Sequence, residues 1–145
     1  MSLKVELKPG ERLIVGSCVI TNSDQRTRLT IDGKLPILRE KDILTPERAD
    51  TPAKLIYLAV QLMYLEGSFQ ASRTEYFSLV NAMAMTLPKS IPVLDEINNE
   101  ILTNNLYKAL KASKKLIQIE KEQSENAESG GSGVPADLSD DGRPA

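Results

Sequence analysis

The apolar residues of this chain change their spacing once, near Asp50, and that change constrains the fold more than any other feature. Before it, Leu3, Val5 and Leu7 alternate with Lys4, Glu6 and Lys8, which is the two-residue period of a half-buried strand. Pro9-Gly10 is a turn pair, since proline presets φ and glycine tolerates φ > 0. Leu13 to Val15 and Val19 to Thr21 supply strand material on either side of Gly16-Ser17, with Cys18 expected to be a buried strand residue. Asn22-Ser23-Asp24-Gln25 is turn chemistry, and Arg26 to Ile31 resumes the alternation. Asp32-Gly33 reads as a hairpin turn leading to Lys34 to Leu38. Four or five short antiparallel strands are expected within residues 1–45.

After Asp50 the period is helical. Asp50 or Thr51 caps a helix with Pro52 in its first turn, apolar residues from Leu55 to Leu65 on nearly every face, and Gly67 as its stop. A second helix is expected from about Ala71 to Leu87, ended by Pro88. Ser90 is expected to cap a third, which Thr103-Asn104-Asn105 breaks, and Leu106 to Glu122 forms a fourth. From Gln123 the composition turns to Ser, Glu, Gly, Asp and Pro, too poor in apolar surface to offset chain entropy. The fold class is therefore α+β: an antiparallel β portion (1–45), a bundle of three or four helices (46–122), and a disordered acidic tail (123–145). So small a sheet is marginal alone and must pair with a second chain or pack on the helices.

Composition narrows the chemistry. There is no histidine and a single cysteine, so the commonest general base, an internal disulfide and a structural zinc site are all lacking. Glu96 and Glu100 lie four apart on a helix without partners that would make them ligands or an acid/base pair; neither an enzyme nor a cofactor is expected. No run approaches the roughly 20 apolar residues needed to span a bilayer. The N-terminus lacks the layout of a signal peptide, which predicts a cytoplasmic protein without a membrane partner. From Met1 to Ile119 the formal charge is +3, and from Glu120 onward it is −5. A mildly basic body permits nucleic-acid binding without requiring it.

The basic residues of the β portion are Lys4, Lys8, Arg12, Arg26, Arg28, Lys34, Arg39 and Lys41. They suit RNA phosphates and exposed bases, but mixed charge is also what any soluble sheet carries. All Tyr and Phe residues lie between Tyr57 and Tyr107, so the β portion has no aromatic platform of its own for stacking bases. The lysine face of the last helix, Lys108, Lys111, Lys114 and Lys115, is either a second phosphate contact or a solvated face. Met63, Met83 and Met85 fit core packing better than a peptide groove.

Lys8-Pro9-Gly10-Glu11, Leu13-Ile14-Val15-Gly16 and Arg39-Glu40 with Ile43 after it resemble the CsrA/RsmE family of small β-rich RNA-binding regulators. Leu7-Lys8 stands where those proteins usually carry two consecutive basic residues. A wider set of segments is similar to the FlbT family of bacterial flagellum-biosynthesis repressors. These are Cys18-Val19-Ile20-Thr21-Asn22, Pro36-Ile37-Leu38-Arg39-Glu40-Lys41-Asp42-Ile43, Ala49-Asp50-Thr51-Pro52-Ala53-Lys54, Ile97-Asn98-Asn99-Glu100 and Leu106-Tyr107-Lys108-Ala109-Leu110. This second resemblance implies a post-transcriptional repressor that binds the 5′ untranslated region of flagellin mRNA and promotes its degradation. The CsrA-like pattern implies RNA contacts at Lys8 and Arg39; Lys4, Arg12, Arg26, Arg28 and Lys41 are the further candidate contacts among the basic residues of the β portion. DNA is not an expected partner. A homodimer is expected from the thin β portion and the over-apolar first helix. The competing reading is a protein-interaction module, a chaperone-like adaptor that binds flagellin or FlaF through its helices and affects mRNA indirectly.

Overall fold

The computed structural model describes residues 2–133. Five strands come first: β1 (Ser2–Leu7), β2 (Arg12–Val15), β3 (Cys18–Thr21), β4 (Thr27–Asp32) and β5 (Ile37–Arg39). Four helices follow: α1 (Pro52–Glu66), α2 (Arg73–Thr86), α3 (Ile91–Leu102) and α4 (Leu106–Gly133). The α+β class read from the change of period is the class observed.

The strands form two small antiparallel sheets. β1 pairs with β4, Val5 opposite Leu29, and β2 lies between β3 and β5, Ile14 opposite both Val19 and Leu38. Pro9-Gly10 is a tight turn, with Glu11 N–H donating to the Lys8 carbonyl at 3.0 Å, and it carries the chain from one sheet to the other. The Asn22 side-chain amide fastens this crossing by donating to the carbonyls of Leu7, Lys8 and Gln25. The hairpin expected at Asp32-Gly33 does not form, because β4 and β5 belong to different sheets. Ile37 and Leu38 are adjacent apolar residues pointing to opposite faces, and only the middle sheet offers β5 cover on both.

The molecule is consequently layered. Val5, Leu7 and Leu13 are buried between the two sheets, with Val15, Leu29, Ile31 and Ile37 packed on them. Leu38 and Ile14 point the other way and join the helical core. β3, at the outer edge of the middle sheet, is exposed throughout. Cys18 is therefore exposed rather than buried, since no layer covers that edge.

In the bundle, Ile56, Val60 and Met63 of α1, Ile97 of α3, and Leu110 and Leu116 of α4 are fully buried. Each such side chain contributes about 1.5–3 kcal/mol relative to exposure. Thr51 caps α1 by accepting from Lys54 N–H, and Gly67 ends it in the left-handed region at φ 69°. Asn104, at φ 61°, makes the break before α4. Ser90 makes no side-chain cap: it already lies in helical conformation, and its hydroxyl donates to the Leu87 carbonyl. α4 continues past Glu122 to Gly133, so residues 123–133 of the expected tail are helical. Before that stretch, Glu120 ties α4 to the start of α1 by accepting from Ala53 N–H. Residues 134–145 of that tail lie outside the described residues.

Candidate nucleic-acid interface

The seam between the sheets and the bundle is built by one face of α1. Tyr57, Gln61 and Tyr64 recur at helical spacing and all three bind the backbone of the segment from Ile37 to Leu44. The Tyr64 hydroxyl donates to the Ile37 carbonyl at 2.9 Å and accepts from Ile37 N–H at 3.0 Å. Gln61 donates to the Leu44 carbonyl and accepts from Leu44 N–H, at 3.0 and 2.9 Å. The Tyr57 hydroxyl donates to the Asp42 carbonyl at 2.5 Å. Burial, then the nearby Asp42 carboxylate, pushes the Tyr57 hydroxyl well above its usual range. Burial also raises Tyr64, with the Ile37 backbone hydrogen bond acting in the opposite sense. The segment carrying Arg39, Glu40, Lys41 and Asp42 is thus held rigidly against the bundle.

Two grooves flank that segment and share Lys41, Asp42 and Lys114. The first, about 620 Å³, brings Arg39 and Lys41 together with Lys111 and Lys114 of α4, beside Tyr64 and Tyr107. Asp42 is its carboxylate, nearly buried and paired with the Lys114 ammonium. Among the described residues, Arg39, Lys41 and Lys111 have no carboxylate within ion-pair distance. The second groove, about 640 Å³, holds Lys8, Lys41 and Arg48, but Glu11 and Glu40 line it as well.

Lys8 and Arg39 therefore lie in adjoining grooves rather than one. Arg12 is paired with Glu40 at 3.5 Å and Arg26 with Glu6 at 3.1 Å. Lys4 and Arg28 are set apart from both grooves, on the exposed face of the β1–β4 ladder where Glu6 stands opposite Arg28. Only Arg39 and Lys41 of the seven basic residues named from sequence share the acid-poor groove.

The groove's other half comes from the bundle. Tyr107, Lys111 and Lys114 recur at four- and three-residue spacing along α4, so they share one face. The Tyr107 ring lies 5.5 Å from the Tyr64 ring, and the Lys111 ammonium lies 5.5 Å from the Tyr107 centroid. The β portion has no aromatic residue, yet folding places one next to Arg39. That spacing of Tyr107 with the lysines was the available signal; what it faces depends on tertiary packing.

The geometry can bind a polyanion through guanidinium and ammonium groups while offering an aromatic ring to an unpaired base. No helix of the described residues is long and apolar enough to cross a membrane.

Residues 3–123 match the family model described as flagellar protein FlbT. A protein of Bradyrhizobium diazoefficiens, named probable flagellum biosynthesis repressor protein FlbT 1, is 60% identical over 121 residues, covering 83% of each chain. One from Rhodopseudomonas palustris, named probable flagellum biosynthesis repressor protein FlbT, is 49% identical over 84% of this chain and 97% of its own. The flagellum biosynthesis repressor protein FlbT of Caulobacter vibrioides is 36% identical over 90% of this chain and 94% of its own. No solved structure matches. By the extent of the family match and the identity of these relatives, the chain belongs to the FlbT family of flagellum biosynthesis repressors.

Proposed function

We propose that the chain represses flagellin synthesis after transcription, by binding the 5′ untranslated region of flagellin mRNA and promoting its degradation. The observation that carries this reading is the groove where Arg39, Lys41 and Lys111 stand without a carboxylate partner beside an exposed tyrosine. Such a set suits RNA, whose phosphates take the cations and whose unpaired bases take the ring. The chain's part is occupation of the leader, and cleavage falls to nucleases of the cell. It acts in the cytoplasm, as a homodimer, without a cofactor.

The test is equilibrium binding of the purified chain to flagellin leader RNA and to a scrambled RNA, at two salt concentrations, with Arg39→Ala/Lys111→Ala beside the wild type. Preference for the leader that weakens steeply with salt and is lost in the double variant supports the reading. Equal, salt-insensitive behaviour of both proteins overturns it.

A second reading rests on α2. Phe77 is 44% exposed, stands 5.6 Å from the Phe69 ring, and shares with it the Arg73 guanidinium. An adaptor that holds flagellin or FlaF would use this apolar face, and its binding would respond to Phe77→Ser and not to salt.

A further inference from the structure

Leu35 is 63% exposed, and Tyr107 is 43% exposed. Singly exposed apolar side chains are ordinary. These two, however, line the same two adjoining clefts, which Tyr64 lines as well. Neither is loosely placed. The loop that carries Leu35 is fastened by Gly16 N–H donating to the Pro36 carbonyl at 2.8 Å. Leu35 also rests over the α-carbon of Gly16, where a side chain would meet its methyl groups at 3.3 Å. The Tyr107 ring is backed by Tyr64, whose hydroxyl is bonded to Ile37. An aliphatic and an aromatic surface are thus presented to solvent from two separately fixed elements.

Cations stand at both ends of this pair, Lys34 and Lys108 in one cleft, Arg39 and Lys111 in the other. A cationic track interrupted by an apolar slot is what a single strand requires, because its phosphates and its bare base faces alternate along the chain. A duplex keeps its bases stacked and would leave the slot empty. An acidic peptide would use the cations and have no need of the ring.

We propose that Leu35 and Tyr107 form a slot for one unpaired base, so that the RNA bound here is single-stranded. This inference rests on the RNA-binding reading and names the form of RNA that the same groove takes.

The test uses a single-stranded leader oligonucleotide carrying 2-aminopurine, the same oligonucleotide annealed to its complement, and an acidic polyglutamate as competitor. Stacking on Tyr107 should quench 2-aminopurine fluorescence. Tyr107→Leu should remove the quench and weaken single-strand binding about ten-fold, the low-to-middle range for loss of one base–aromatic stack. Tyr107→Phe should keep the affinity within about two-fold, since the hydroxyl takes no part in stacking. Leu35→Ser, in an exposed loop, should weaken the single strand without changing the melting temperature. Duplex binding should be weaker than single-strand binding and indifferent to all three variants. If single strand and duplex bind equally and Tyr107→Leu changes neither, the slot is overturned while the RNA reading stands. If no RNA form binds and polyglutamate does, the RNA reading fails and the slot fails with it.

Discussion

The bundle and the sandwich are held together by different physics. In the bundle, Ile56, Val60, Met63, Ile97, Leu110 and Leu116 are enclosed by other apolar side chains from all four helices. Between the sheets, among the described residues, only Val5, Leu7 and Leu13 reach full burial, and β3 is exposed throughout. What the sandwich lacks in apolar enclosure it makes up in polar ties, the Asn22 knot on one side and the Tyr57, Gln61 and Tyr64 bonds on the other. The Tyr57, Gln61 and Tyr64 bonds grip the segment that carries Arg39 and Lys41. The weaker layer is therefore most rigid where its basic residues meet the bundle.

The largest test of this contrast is a pair of cavity variants. Ile97→Ala should cost about 2–5 kcal/mol, because its site is walled on all sides and relaxes little. Leu13→Ala, equally buried, should fall at the lower end of that range, since neighbours such as Val15 and Ile37 are partly exposed and free to close in. Urea denaturation of both variants measures the difference. Equal losses would mean that the sandwich is as tightly enclosed as the bundle.

A smaller effect isolates the polar ties. Gln61→Leu leaves the N–H and the carbonyl of Leu44 without their side-chain partner, and should cost about 1–3 kcal/mol with little change in packed volume. Hydrogen exchange at Leu44 and its neighbours should rise more than exchange in α3. Uniform acceleration across the chain would show that the tie serves global stability and not the seam.

Alkaline pH probes the seam and the bundle at once. Tyr57 and Tyr76 are buried, and burial raises both hydroxyls far above the ordinary value near 10. Below pH ~10 the tyrosines are neutral in the folded and unfolded chains, and their contribution is fully present. Above it the unfolded chain ionises them and the folded chain does not, so stability should fall by about 1.4 kcal/mol per tyrosine per pH unit. Tyr57→Phe should lower that slope by about 1.4 kcal/mol per pH unit, and an unchanged slope would mean that Tyr57 ionises within the fold.

Much of this architecture is written locally. Thr51, Pro52 and Gly67 mark the ends of α1 through chemistry confined to a few residues, and the alternation of β1 and β4 needs no knowledge of their partners. Pairing is not local. Asp32-Gly33 has the residues of a hairpin, yet β5 goes to β2 because Ile37 and Leu38 both need cover. Cys18 has the residue type of a core position and sits on an edge that nothing happens to cover. The groove was half legible for the same reason. Arg39 and Lys41 stand out among the strands, and Lys111 and Lys114 stand out on α4, but only packing brings the two sets together.

The finest comparison lies within the seam, between the two grooves that Lys41 joins. Removing one phosphate-binding cation should lower the salt dependence of single-strand binding by about 0.7 in log–log slope. Arg39 stands in the groove whose carboxylate, Asp42, is already taken by Lys114. Arg39→Ala should therefore show the full decrement. Lys8 stands where Glu11 lines the wall with no cation within ion-pair distance among the described residues, beside a Glu40 that Arg12 already pairs, and the Glu11 carboxylate opposes a phosphate at that place. Lys8→Ala should show a decrement well below about 0.7. Titrations of both variants against the leader RNA over a series of salt concentrations give the two slopes. If they are equal, RNA crosses Lys41 and uses both grooves as one path, with Glu11 and Glu40 turned away from it. If only Arg39 matters, the bound strand follows α4 toward Tyr107, and the acid-lined groove sets the limit of the site.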